Sequence, residues 1–262
     1  MARSLLVRAT ALGTAVIGAE AVYALLKPAP ELKEFDPSGE FGDPSSPTMR
    51  VAVLGDSSVT GHGLSSPEEI WVSRVCSRLA EDYHVILASF AAGGSMAHNL
   101  LADQMDDAIA FEPDLILVSV GANDALKGVT LRRFEANLDH LIGRLASTGA
   151  LVLQSGVGVL GTIPRLHPPL STLMTIRSAL FDRAHRRVAA RHGTWVIDTH
   201  YDDARLWHRD QSLWAADDFH VSAAGHARWA ESTWRTLAPL MNGARAKKES
   251  GIVHMSVNSG TG

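Results

Sequence analysis

Four short blocks in this 262-residue chain hold the residue types that acyl-transfer chemistry requires. Gly55-Asp56-Ser57-Ser58 offers a hydroxyl, Ala92-Gly93-Gly94-Ser95 a glycine turn, Gly121-Ala122-Asn123-Asp124 a carboxamide, and Asp217-Asp218-Phe219-His220 a carboxylate with an imidazole. A serine hydroxyl is a weak nucleophile at neutral pH and needs a base to take its proton as it attacks a carbonyl. His220 is the candidate base. Asp217, three residues earlier in a loop, can fold back onto the imidazole, fix its tautomer and stabilise the imidazolium. The attacked carbonyl oxygen becomes anionic, and donors aimed at it lower the barrier. The candidate donors are the backbone N–H of Ser57, the backbone N–H of Gly93 and the side-chain amide of Asn123.

These blocks need a frame that brings them together. Short apolar runs, Val51 to Leu54, Val85 to Phe90, Leu115 to Val120, Leu151 to Leu153 and Trp195 to Ile197, read as buried strands. Helical stripes lie between or after them: Trp71, Val75 and Leu79; Leu131, Phe134, Leu138, Leu141 and Leu145; Leu173, Ile176 and Leu180; and Ala227, Ala230, Trp234 and Leu237. Strands alternating with helices imply parallel strands joined by right-handed crossovers, hence a three-layer α/β/α sandwich. Ligands of such sheets bind beyond the carboxyl ends of the strands, where all four blocks fall. The Gly- and Pro-rich segment Ser155 to Leu170 lies at the same edge, and its Val159, Leu160, Ile163 and Leu166 either line an acyl pocket or pack against a neighbouring helix.

The order and placement of the blocks resemble the SGNH hydrolases, also called GDSL lipases and esterases. That resemblance covers roughly Met49 to Met241, with Ser58 where the name-giving pattern has leucine, and Gly94 beside Gly93 leaves the glycine donor ambiguous by one position. It implies a flavodoxin-like, five-stranded parallel sheet and hydrolysis of esters or thioesters without a metal or other cofactor. The substrate is then a small-molecule ester, a lipid or an acylated sugar. An acyltransferase or a carbohydrate O-deacetylase on the same scaffold, or a non-catalytic binding module, are the alternatives.

Other chemistry finds less support. Hydrophobic residues make up 46% and charged residues 20%, the balance of a globular protein, and a formal net charge of -4 supplies no basic field for nucleic acid. The lone Cys76 rules out an internal disulfide and reads as a core residue. No His-Glu-x-x-His or phosphate loop occurs, and Gly93-Gly94-Ser95-Met96-Ala97 lacks the last glycine of Gly-x-Ser-x-Gly. A second Asp-x-x-His, Asp182 to His185, sits among arginines in a helical stretch and is expected on a solvated face.

The ends differ from the middle. Residues 1–26, with Arg3 and Arg8 ahead of an Ala-rich apolar run, read as a signal peptide or membrane anchor, which places the protein in the cell envelope, attached to a membrane or exported. An Ala-rich helix lying against the protein or the bilayer surface is the rival, and a cytoplasmic location the alternative. Residues 27–48, with five prolines, are expected to form a solvated spacer, 49–241 the domain, and 242–262 a disordered polar tail.

Overall fold

A computed structural model of the chain describes residues 30, 32–198 and 204–257, together with Gly18, Glu20 and Tyr23. The described residues form a six-stranded sheet from β1 (Gly39–Phe41), β2 (Thr48–Gly55), β3 (His84–Ser89), β4 (Leu115–Ser119), β5 (Leu151–Ser155) and β6 (Trp195–Ile197). The spatial order is β1-β3-β2-β4-β5-β6, with β1 antiparallel to β3 and every other pairing parallel. Without β1, the order is that of a flavodoxin-like sheet.

Helices cover both faces, so the central strands are apolar on both sides. Ala52, Leu54, Ile116 and Val118 face α5 (Leu131–Ala146) and α6 (Leu170–His192), where Phe134, Leu138 and Phe181 are fully enclosed. The alternate residues Val51, Val53, Leu115 and Leu117 face α2 (Trp71–Leu79) and α8 (Ala223–Val257). Cys76 is buried in that second layer. Shorter helices include α1 (Ser57–Thr60), α3 (Met105–Ala110), α4 (Ala122–Leu126) and α7 (Ala204–Arg209).

Four expectations need correction. The sheet has a sixth strand, because Gly39–Phe41 pairs with Val85 to Leu87. The stretch expected as a solvated spacer therefore adds to the domain, and Phe35 N–H also donates to the carbonyl of Thr60 at 2.8 Å. Helix α8 runs on to Val257 through the segment expected to be a disordered tail from residue 242, where Ala244, Ala246, Lys247, Lys248 and Glu249 are good helix formers. In α6 the inward face is not the expected Leu173, Ile176 and Leu180 stripe: Ile176 is 57% exposed and Leu180 38%, while Met174, Ser178, Phe181, Asp182 and His185 turn inward. The readings for residues 1–17 and 258–262 lie outside the described residues, as does most of 18–29; no helix of the described residues is long and apolar enough to cross a membrane.

Candidate active site

β2 ends at Gly55, and the chain enters α1 with Asp56 as its N-cap, one Asp56 carboxylate oxygen accepting from Ser58 N–H at 3.0 Å. Ser57 is therefore the first residue of a short helix at the carboxyl edge of the sheet. Ser58 uses its hydroxyl to bond Ser119 Oγ at 2.7 Å, tying the turn to the end of β4.

Asp56 is buried, which raises its pKa, and the bonds from Ser58 and Asn123 only partly oppose this. Its second oxygen accepts from Asn123 Nδ2 at 3.1 Å, and the same nitrogen lies 3.1 Å from the carbonyl of Ser95. Asn123 sits in the first turn of α4, entered through Gly121 at φ 114°. A Cβ at Gly121 would stand 3.0 Å from both Phe134 and Val157, so both conformation and space call for glycine there. The neighbouring Asp124 is wholly buried and accepts from Ala97 N–H at 3.0 Å. Its task is to hold the chain leaving the glycine turn.

That turn gives the two glycines different conformations. Ser95 N–H bonds the carbonyl of Ala92 at 3.2 Å, Gly94 takes the left-handed position at φ 75°, and Gly93 precedes it with its backbone exposed.

At the other end of the sequence, the turn from Asp217 to His220 is closed by Asp218 at φ 57°. One Asp217 oxygen accepts from the backbone N–H groups of Phe219 at 3.0 Å and His220 at 2.9 Å, while the other lies 2.6 Å from His220 Nδ1. Burial would raise the Asp217 pKa, but the bonds from the His220 ring and these two N–H groups outweigh it and bring it to about 2. Buried Arg165 holds the turn from outside through Nη1 to the Asp217 carbonyl at 3.0 Å. Ser222 then caps α8, its Oγ accepting from Gly225 N–H at 3.3 Å.

Ser57, Asn123 and His220 line one cleft, whose far wall is apolar: Leu126, Val157, Val159, Leu160, Ile163 and Phe219. Leu166 packs in the core instead. Gly93 lies to the other side of Ser57, on the β3 side of the sheet, beneath the carboxylate of Glu34 and beside His62. The loop from Ser155 to Leu170 is met at His167 by Glu20, which accepts from the backbone N–H and pairs with Nδ1, both at 2.9 Å.

Sequence reasoning missed three participants. His62 stacks on His220 with ring centroids 4.8 Å apart and planes 21° from parallel. Glu34 pairs with His62 Nε2 at 3.3 Å. Gln104, in a π-helical turn (Leu100–Gln104), reaches back to Gly55. Only His62 left a trace, as a histidine between two glycines just after the serine block. The rival pair Asp182 and His185 is not on a solvated face: both are buried, with His185 Nδ1 3.0 Å from Gln154 Oε1 and Nε2 3.1 Å from the Val120 carbonyl, to one of which the neutral ring donates. Burial pushes the His185 pKa down to about 4.

Comparison with known proteins identifies the family and the fold. Residues 53–228 match the GDSL-like Lipase/Acylhydrolase family. The chain is 28% identical to Esterase TesA of Pseudomonas aeruginosa over 199 residues, 73% of this chain and 89% of that protein. It is also 28% identical to the GDSL-like esterase Rv1075c of Mycobacterium tuberculosis over 196 residues, 72% of this chain and 62% of that protein. A crystal structure of TesA superposes with a TM-score of 0.62 at 26% identity, covering 73% of this chain and 99% of that one. The acetylxylan esterase Axe2 of Geobacillus stearothermophilus shares the fold, with a TM-score of 0.60 at 20% identity over 72% of this chain and 94% of that one.

Proposed function

The chain belongs to the GDSL-like lipase/acylhydrolase family and hydrolyses ester bonds, and from that premise we propose that it acts through an acyl-enzyme on Ser57. The observation that carries this reading is the 2.6 Å contact between Asp217 and His220 Nδ1, on a ring that lines the same cleft as Ser57. With Nδ1–H donating to Asp217, the lone pair of Nε2 is free to take the Ser57 proton as Oγ attacks the carbonyl carbon. Asp217, its pKa near 2, stays ionised throughout the range in which His220 works. The oxyanion then meets the Asn123 amide and the backbone N–H groups of Ser57 and Gly93. His220 returns the proton to the leaving alcohol, and a water activated by the same nitrogen releases the acid. The apolar wall from Leu126 to Phe219 suits the acyl chain. Attachment to or export across a membrane through residues 1–26 belongs to the same proposal and rests on their composition.

A fluorophosphonate probe tests the nucleophile, because an activated serine attacks phosphorus as it attacks a carbonyl. Wild type is expected to be labelled and Ser57→Ala not. Labelling that survives in Ser57→Ala but is lost in Ser58→Ala would overturn the assignment.

A further inference from the structure

One wall of the site comes from outside the region that matches the family. Leu32 to Phe35 crosses the residues just after α1: Phe35 N–H is bonded to Thr60, the Phe35 ring packs against the core, and Leu32 lies beside Gly63. This fixes Glu34 so that its carboxylate covers Gly93, where any added Cβ would strike it, and pairs with His62. His62 in turn stacks on His220. His62 lines one part of the cleft, and the cleft's apolar residues Leu126 and Val157 to Ile163 follow β4 and β5, across β2 from the glycine turn that follows β3. An ester with its acyl chain against those apolar residues must send its alcohol the other way. The alcohol must also lie against His220, which protonates it on leaving, and so it passes His62 and Glu34.

We propose that Glu34 is a specificity-determining residue that disfavours esters whose alcohol carries a negative charge. The proposal rests on the reading of Ser57 and His220 given above. His62 does not cancel the carboxylate at neutral pH, since burial, and then the charge of His220, lowers its pKa. Lys127 is the opposing charge at this rim, its ammonium bound to the Gly94 carbonyl at 2.9 Å on the far side of the glycine turn. Glu34 is the charge that lies over Gly93 itself. The negative oxyanion is common to every ester, so its repulsion by Glu34 cancels when substrates are compared as ratios. Charges a few ångströms apart in a half-exposed site change relative rates on the order of tenfold, and less at high salt.

Three butyrate esters of similar shape provide the test: butyrylcholine, its uncharged 3,3-dimethylbutyl counterpart and the anionic 3-sulfopropyl ester. For the full chain, kcat/KM is expected to be lowest for the sulfonate, roughly tenfold below the neutral ester, with the choline ester at least equal to the neutral one. Glu34→Gln, which keeps the shape and loses the charge, should bring the neutral-to-anionic ratio close to one, and Lys127→Met should widen it. A wild-type preference for the sulfonate, or a ratio that Glu34→Gln leaves unmoved, would overturn the proposal. Hydrolysis of the neutral ester that persists in Ser57→Ala would instead overturn the site reading on which it rests.

Discussion

Gln104 grips Gly55 by both of its backbone groups: Oε1 accepts from Gly55 N–H at 2.9 Å and Nε2 donates to the Gly55 carbonyl at 3.0 Å. The same Nε2 lies 3.2 Å from Ser95 Oγ, so one buried amide ties the end of the serine strand to the glycine turn. The two proposed oxyanion donors, on Ser57 and Gly93, depend on that spacing. Gln104→Met, similar in length but unable to make these bonds, is expected to lower kcat by about 10- to 100-fold with little change in KM. The loss should persist when kcat is expressed per active site titrated with a phosphonate. A full kcat per titrated site would limit Gln104 to a structural role.

Two Asp-x-x-His pairs exist, and their surroundings give opposite expectations. His220→Ala removes the proposed proton acceptor of Ser57 and should reduce kcat by several orders of magnitude in a folded protein. His185→Ala leaves a hole among Gln154, Val120 and Phe134, so it should lower stability by about 2–4 kcal/mol while kcat of the folded fraction stays within a few-fold. Thermal melts and kcat measured together on both variants decide this, and the reverse pattern would exchange their roles.

Asn123 divides its amide between Asp56 and Ser95, so an oxyanion must share one of these protons. Removing the group in Asn123→Ala should lower kcat by ~10²–10³. Asn123→Asp keeps the shape but sets a second carboxylate against Asp56 and against the oxyanion, and is expected to be at least as impaired. Steady-state kinetics on folded variants provide the check, and an active Asn123→Asp would remove Asn123 from the oxyanion site.

Acid should unfold the protein through its buried histidines. Burial lowers His226 to about 3 and His185 to about 4, from 6.5. As pH falls below 6.5 the unfolded chain takes up these protons and the native state does not, so stability present above 6.5 drains away toward the folded values. Each histidine contributes a slope of up to ~1.4 kcal/mol per pH unit between about 6 and 4. Asp217 adds a loss in the same direction at lower pH, whereas Asp56 and Asp124, raised by burial, act in the opposite sense. Urea unfolding at pH 7, 6 and 5 measures the slope, which His185→Gln should flatten.

What the sequence disclosed follows from where the physics is local. β2 and β4 were readable because both their faces are covered, leaving unbroken apolar runs. The turn from Asp217 to His220 was readable because its contacts span only three residues. β1 was not: Gly39-Glu40-Phe41 is three residues with no alternation, and it is a strand only because β3 lies beside it. The face of α6 was misjudged because Leu173, Ile176 and Leu180 satisfy helical spacing as well as the truly buried row, which contains Ser178, Asp182 and His185. Glu34 and Gln104 lie 59 and 11 residues from Gly93 in the sequence and reach the glycine turn only through the tertiary fold.

The strand formed by Gly39–Phe41 also sets a limit on N-terminal truncation. A sheet edge left open presents unpaired N–H and C=O groups on which another chain can template. β1 occupies that place along Val85, Ile86 and Leu87. Truncation to residue 30 would leave this seal in place, whereas truncation to Met49 would remove it and leave the edge of β3 open to pairing with another chain.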